Sequence, residues 1–279
     1  MKKKVLLIVT SVVFMAALTC LMSCEGCGVK PKTVSKDIPL NISVYLDLSD
    51  RLVRGQLTPS QKDRDMAIVQ NVADILKKKS FGPKLLQCEN HLKVFFYPTP
   101  NNSEITTLAE KLEVDLASLQ AGKKKTALQT MSGDFAKSLD QIYTQTIKTS
   151  KWTGSDIWGF FSNKVVDTQC IRKGNRNILI ILTDGYIFDA NNKVNEGNAY
   201  SYILPETLVV PNSKLMAKRK GLGNLEVLML EVNPYKQTDR EKMIHVLETW
   251  FKEMGVKKFA VADTDLPTTT KTVIDNFLN

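Results

Sequence analysis

The stretch NILIILTDG, residues 177–185, decides the fold. Its run of Ile and Leu carries no polar alternation, the pattern of a strand covered on both faces in the middle of a parallel sheet. The run stops at Thr183-Asp184-Gly185, polar residues placed where a sheet strand reaches solvent. Downstream, LEVLMLEV (225–232) and KKFAVA (257–262) are two more strands. A capping box, Thr238-Asp239-Arg240-Glu241, opens a helix between them that extends to about residue 254, and residues 266–278 form a closing helix with Asp265 as its N-cap. Strands and helices alternate, which predicts an α/β fold: an open, mainly parallel, doubly wound sheet flanked by helices.

Upstream, ISVYLDLSDRL (42–52) begins as an apolar strand and ends in a polar cluster of Asp47, Ser49, Asp50 and Arg51. Thr58-Pro59-Ser60-Gln61 reads as N-cap, first-turn proline and capping-box glutamine of a helix to about residue 79, and HLKVFFYPT from His91 as the next strand. Residues 104–119 and 131–148 have amphipathic spacing and are expected to be helices. Residues 186–222 interrupt the rhythm with an insertion rich in Asn, Gly and Tyr, of a length that beside a strand end marks either a functional or a disordered loop.

The first residues are not part of that fold. Lys2, Lys3 and Lys4 precede an apolar run from Val5 to Met22, which is a signal peptide, and the run ends Leu21-Met22-Ser23-Cys24. That ending resembles a bacterial lipoprotein box, which implies cleavage before Cys24, lipid on its thiol and amine, and a domain held at the cell envelope. An uncleaved membrane helix is the alternative, since the run is near the lower limit of about 18 residues for spanning. Residues 24–38 lack apolar periodicity and read as a flexible tether, leaving residues 39–279 as the folded domain.

Charge and cysteines narrow the function. Removal of residues 1–23 takes away three lysines and no acid, so the formal charge falls from +9 to +6. The basic runs 77–79 and 123–125 have no interleaved aromatics and read as solvated helix ends and loops, not as a nucleic-acid surface. Cys27 belongs to the tether, so Cys88 and Cys170 either form one disulfide or remain as two free thiols.

Three polar segments are expected at the carboxyl ends of strands or in a loop on the same edge: Asp47-Leu48-Ser49-Asp50-Arg51, Ser155-Asp156 within TGSDIWGFF (153–161), and Thr183-Asp184-Gly185. Carboxylates and hydroxyls gathered in this way suit a hard cation, which takes oxygen ligands. At these residues the chain resembles the von Willebrand factor A (VWA) family and its metal-ion-dependent adhesion site, whose pattern is Asp-x-Ser-x-Ser, a mid-chain Thr before a helix, and Thr-Asp-Gly. Ser155 lies 28 positions before Thr183, room for a helix, a turn and a strand, whereas Thr130 lies 53 before it. The resemblance implies that Asp47, Ser49, Ser155 and Asp184 hold Mg2+, Mn2+ or Ca2+, and that the partner is a protein or an extracellular matrix or envelope component offering an acidic residue. Asp50, Arg51, Asp156, Thr183, Trp152 and Tyr186 would stand around the site. The departure is Arg51, which replaces the last serine of the first motif. Turned inward it competes with the cation or pairs with an acid; turned outward it leaves Asp50 or Asp156 to fill the shell.

An enzyme has little to work with here. Asp47 resembles the nucleophile of aspartate-based phosphatases, but that chemistry needs an acid two residues later, where the chain has Ser49. His91 and His245 fall at a strand start and within an amphipathic helix, and there is no Gly-x-Ser-x-Gly elbow or phosphate-cradling glycine loop. The expectation is a binding module, with a metal-free scaffold subunit of an envelope complex and a metal-dependent hydrolase using Asp47 and Asp184 as the alternatives.

Overall fold

The computed structural model describes residues 38–54, 57–186, 219–234, 238 and 240–279. Residues Ile38–Asn279 form one compact unit. Its sheet has six strands: β1 (Leu40–Leu46), β2 (His91–Phe96), β3 (Glu113–Asp115), β4 (Arg176–Leu182), β5 (Leu225–Val232) and β6 (Lys258–Asp263). They lie in the order β3-β2-β1-β4-β5-β6, all parallel except β3, which pairs antiparallel with β2. This is the open, mostly parallel α/β sheet expected, a VWA-like fold.

The helices are α1 (Gln61–Ser80), α2 (Ser103–Ala109), α3 (Ala121–Thr149), α4 (Ile157–Ser162), α5 (Val165–Cys170), α6 (Arg240–Glu253) and α7 (Pro267–Leu278). Because strand side chains alternate between faces, the unbroken apolar runs fill two cores at once. Ile178, Ile180 and Leu182 of β4 pack with Ile42, Val44 and Leu46 of β1 under residues of α1, α3 and α7. Leu179 and Ile181 join Tyr45, Val227 and Met229 on the opposite face, under Phe160, Phe161, Trp250 and Phe251. Trp158 packs against this second core, beside Phe160 and Phe161, while Trp152 is half-buried against the first.

Several elements differ from expectation. The N-cap of α1 is Ser60, whose hydroxyl accepts from the Asp63 amide at 3.2 Å, so the cap lies two residues after Thr58. Asp63 supplies the reciprocal acid, and Gln61 turns its amide inward. Residues 104–119 are not one helix: α2 ends at Ala109, and LEVDL (112–116) alternates apolar and polar residues to form the edge strand β3, burying Leu112 and Leu116. Helix α3 begins ten residues before the expected start, and within its first turn Lys124 is buried, donating to the Leu86 and Cys88 carbonyls at 2.9 and 2.8 Å. The 123–125 run is therefore not wholly solvated. Asp265 is not the N-cap of α7; its carboxylate accepts from the Leu266 amide, and Leu266 stands at the cap position. Cys88 and Cys170 are free thiols, and burial pushes the Cys170 thiol up to about 12, too high for reactivity at neutral pH.

Residues 1–37, with the signal peptide, Cys24 and nearly all of the tether, lie outside the described residues, as does 187–218 of the insertion. Asp239 of the expected capping box lies outside them too. Among the described residues no helix is long and apolar enough to cross a membrane.

Candidate functional site

The chain runs outward from β1 through β2 to β3, then returns to the other side of β1 as β4. The order thus reverses between β1 and β4, and the crevice at the carboxyl ends of two such strands is where open α/β sheets receive ligands. Asp47 and Thr183 are the first residues past those strands. The Asp47 amide donates to the Leu182 carbonyl at 3.1 Å, continuing the strand pairing by one residue, and the Thr183 hydroxyl donates to Asp47 Oδ2 at 2.8 Å. Asp47 Oδ1 accepts from the Ser49 amide at 2.8 Å, which turns the chain out of the sheet.

Ser49 caps the 3-10 turn Asp50–Leu52, its hydroxyl accepting from the Arg51 amide at 3.4 Å. The loop that carries Ser155 is pinned on both sides: the Gly154 amide donates to the Leu48 carbonyl at 3.3 Å and the Asp156 amide to the Tyr97 carbonyl at 3.2 Å. Ser155 Oγ then lies 3.0 Å from the hydroxyl of Tyr45, itself a donor to the Tyr97 carbonyl. Asp156 caps α4, its Oδ1 accepting from the Gly159 amide at 2.7 Å. Beyond Thr183, Asp184 Oδ1 accepts from the Tyr186 amide at 3.1 Å, and the Asn233 amide at the end of β5 donates to the Asp184 carbonyl. The four expected ligand residues, with Thr183, therefore gather at one rim.

Two guanidinium groups share that rim. Arg51 is turned inward, 3% exposed. Its Nε donates to the Asp47 carbonyl at 3.2 Å and stands 3.7 Å from Asp47 Oδ2, while its terminal nitrogens reach Asp65 Oδ2 at 2.6 Å and Oδ1 at 3.4 Å. Burial opposes the Arg51 charge, but Asp65 and Asp47 outweigh it and hold the group protonated. Asp65 also accepts from Gln61 Nε2 and the Tyr143 hydroxyl, each at 2.9 Å. Arg54 donates to Asp184 Oδ2, stands 3.5 Å from Asp50 Oδ1 and lies over the Tyr186 ring at 5.8 Å.

Sequence reading missed Arg54 and Asp65. The signal for Asp65 was available: it follows Gln61 by four residues and precedes Ile68 by three, an acid on the apolar stripe of α1. Arg54 follows Arg51 by three, so in a tight turn the two side chains eclipse, but nothing in the sequence fixed the turn as 3-10.

The residues as arranged do not fit a divalent cation. Both oxygens of Asp47 accept from protein donors, Asp184 is held by Arg54, and the Ser155 hydroxyl is bonded to Tyr45. Among the described residues no group of three or more His, Cys, Asp or Glu side chains is disposed to hold a metal ion.

Asp47 carries the electrostatic burden of the rim. Burial pushes its carboxyl up to about 6; Arg51 pulls it down, and the neighbouring Asp184 pushes it up further. The native state thus keeps a proton that the unfolded chain releases between about pH 4 and 6, so stability falls as pH rises through that window and the cost is complete above it. Asp47→Asn is expected to be more stable than the wild type above pH 6, by up to about 3 kcal/mol, with the advantage gone near pH 4. Thermal melts of both proteins at pH 4, 6 and 8 check this, and a variant that is less stable at pH 8 would contradict it.

No protein-family model matches the chain, and no curated protein matches it. Among solved structures it is similar to the pilus adhesin SpaC from Lactobacillus rhamnosus GG in two crystal structures. In the open conformation the TM-score is 0.40 at 14% identity, and in the other 0.45 at 13% identity; each match covers 87% of this chain and 30% of the adhesin. It is also similar to the conserved hypothetical protein BatB from Bacteroides thetaiotaomicron, with a TM-score of 0.38 at 13% identity over 86% of this chain and 98% of BatB. The chain spans less than a third of the adhesin's length. These are likenesses of fold alone.

Proposed function

We propose that this chain is a binding module anchored in the cell envelope. Lipid on Cys24 holds it to the membrane, the following segment is the tether, and residues 39–279 bind a protein or an envelope or matrix component. The contact surface is the rim at the carboxyl ends of β1 and β4. The observation that carries this reading is the meeting of Asp47, Ser49, Ser155, Thr183 and Asp184 where the strand order reverses. Half-buried Trp152 and Tyr186, one preceding Ser155 and the other following Asp184, supply aromatic surface of the kind interfaces favour.

Catalysis is the weaker reading. Among the described residues the Ser155 hydroxyl is bonded to a tyrosine and to no base, His91 is bonded to Asn41 and Glu113 at the opposite end of the sheet, and His245 is exposed on α6. A photo-crosslinking residue placed at Tyr186 or Trp152 in intact cells, with one at exposed Lys173 beyond the opposite strand ends as control, tests the assignment. A discrete adduct from the rim positions and none from position 173 is expected. Equal labelling from all three positions, or none from the rim, would move the contact surface elsewhere.

A further inference from the structure

The rim holds more carboxylates than one guanidinium can balance, and the chain supplies two. The turn Asp50–Leu52 is closed by the Val53 amide on the Asp50 carbonyl and the Arg54 amide on the Arg51 carbonyl, which brings the two arginines to the same region three residues apart. They serve different acids. Arg51 goes down into the core, to Asp65 and the edge of Asp47. Arg54, with about a quarter of its side chain exposed, stays at the surface, where it bridges Asp184 beyond β4 and Asp50 from the turn. A positive charge therefore joins the acids that follow two different strands. The Tyr186 ring, on which the guanidinium also lies, fixes it from a third side.

A guanidinium is charged at every accessible pH and forks toward carboxylate oxygens. It differs from a metal ion in being covalently attached. A free cation that competes for Asp184 must displace a group already present at an effective concentration in the millimolar range, the regime of short tethers. Loss of a ligand hydroxyl to Arg51 and capture of Asp184 by Arg54 act in the same direction, because the first removes an oxygen from the set and the second occupies another.

We propose that Arg54 is the resident cation of this rim, holding Asp184 and Asp50 in the place of a divalent ion, so that the module engages its partner without metal. This rests on the reading of the rim as the contact surface, yet it is tested without a partner. The purified full chain is titrated calorimetrically with Mg2+, Mn2+ and Ca2+ and melted with and without each ion. The wild type is expected to give no saturable heat and no shift in melting temperature. Arg54→Ala releases Asp184 and Asp50 and is expected to gain saturable binding, with a rise of about 5 °C when cation exceeds its Kd by 100-fold. That gain is lost when Asp184→Ala is added. Arg54→Gln, closer in size, serves if the alanine variant does not fold. Saturable binding to the wild type that Asp184→Ala abolishes would overturn the proposal, and so would arginine variants as indifferent to cation as the wild type. Failure here leaves rim crosslinking intact, whereas failure of the crosslinking test leaves the titrations to stand on their own.

Discussion

Arg51→Met is expected to cost about 3–5 kcal/mol, the usual penalty for leaving a buried charge without its partner. Asp65 is fully buried, and its neighbours Gln61 and Tyr143 offer hydrogen bonds but no positive charge. Asp47 loses its nearest guanidinium as well. Urea denaturation of the variant against the wild type measures the effect. Arg51→Met combined with Asp65→Asn is expected to recover most of the loss, because replacing both members of a buried pair is far milder than removing one. A single variant within about 1 kcal/mol of the wild type would contradict the account of Arg51 as the group that holds Asp65 in the core.

Arg64→Met is expected to have an effect of similar size, about 3–5 kcal/mol, at the next strand end. Glu231 is 1% exposed, and Arg64 grips both its oxygens, at 2.7 and 2.9 Å, while also donating to the Asp265 carbonyl. Among the described residues, Gln61 is the one further side chain that donates to Glu231, at 3.3 Å. The backbone at Glu231 has φ 67°, in the left-handed region, within an irregular register between β5 and β6. Such a conformation in a residue other than Gly costs on the order of 1–2 kcal/mol. Adding Glu231→Gly to Arg64→Met removes the orphaned acid and suits the backbone, so the double variant is expected to melt well above Arg64→Met alone. A double variant no more stable than the single one would show that Glu231 is needed for packing apart from its charge.

These two pairs explain how far the sequence could be read. Strands β1, β4 and β5 were legible because their apolar runs are long and cover both faces, and the polar residues at their ends marked the edge of the sheet. Asp47, Ser49, Ser155 and Asp184 could be brought together because each follows or flanks such an element. What periodicity does not carry is side-chain pairing between distant positions. Arg51 to Asp65, Arg64 to Glu231 and Arg54 to Asp184 span 14, 167 and 130 residues, and each depends on how α1 and the turn before it sit over the strand ends. Edge strand β3 was hidden for a different reason: at three residues it is too short for alternation to outweigh the helical spacing on either side. The cap of α1 was misplaced because Thr58 and Ser60 are both good caps, and only the position of Asp63 decides between them.

The most direct test of a rim organised by the protein's own cations is an anomalous difference map from wild-type crystals grown in millimolar Mn2+. The expected map has no peak at the ends of β1 and β4, with the Arg54 guanidinium clearly placed between Asp50 and Asp184. An anomalous peak bounded by Asp47, Ser49 and Asp184, with Arg54 swung away, would contradict it and restore a metal to the site.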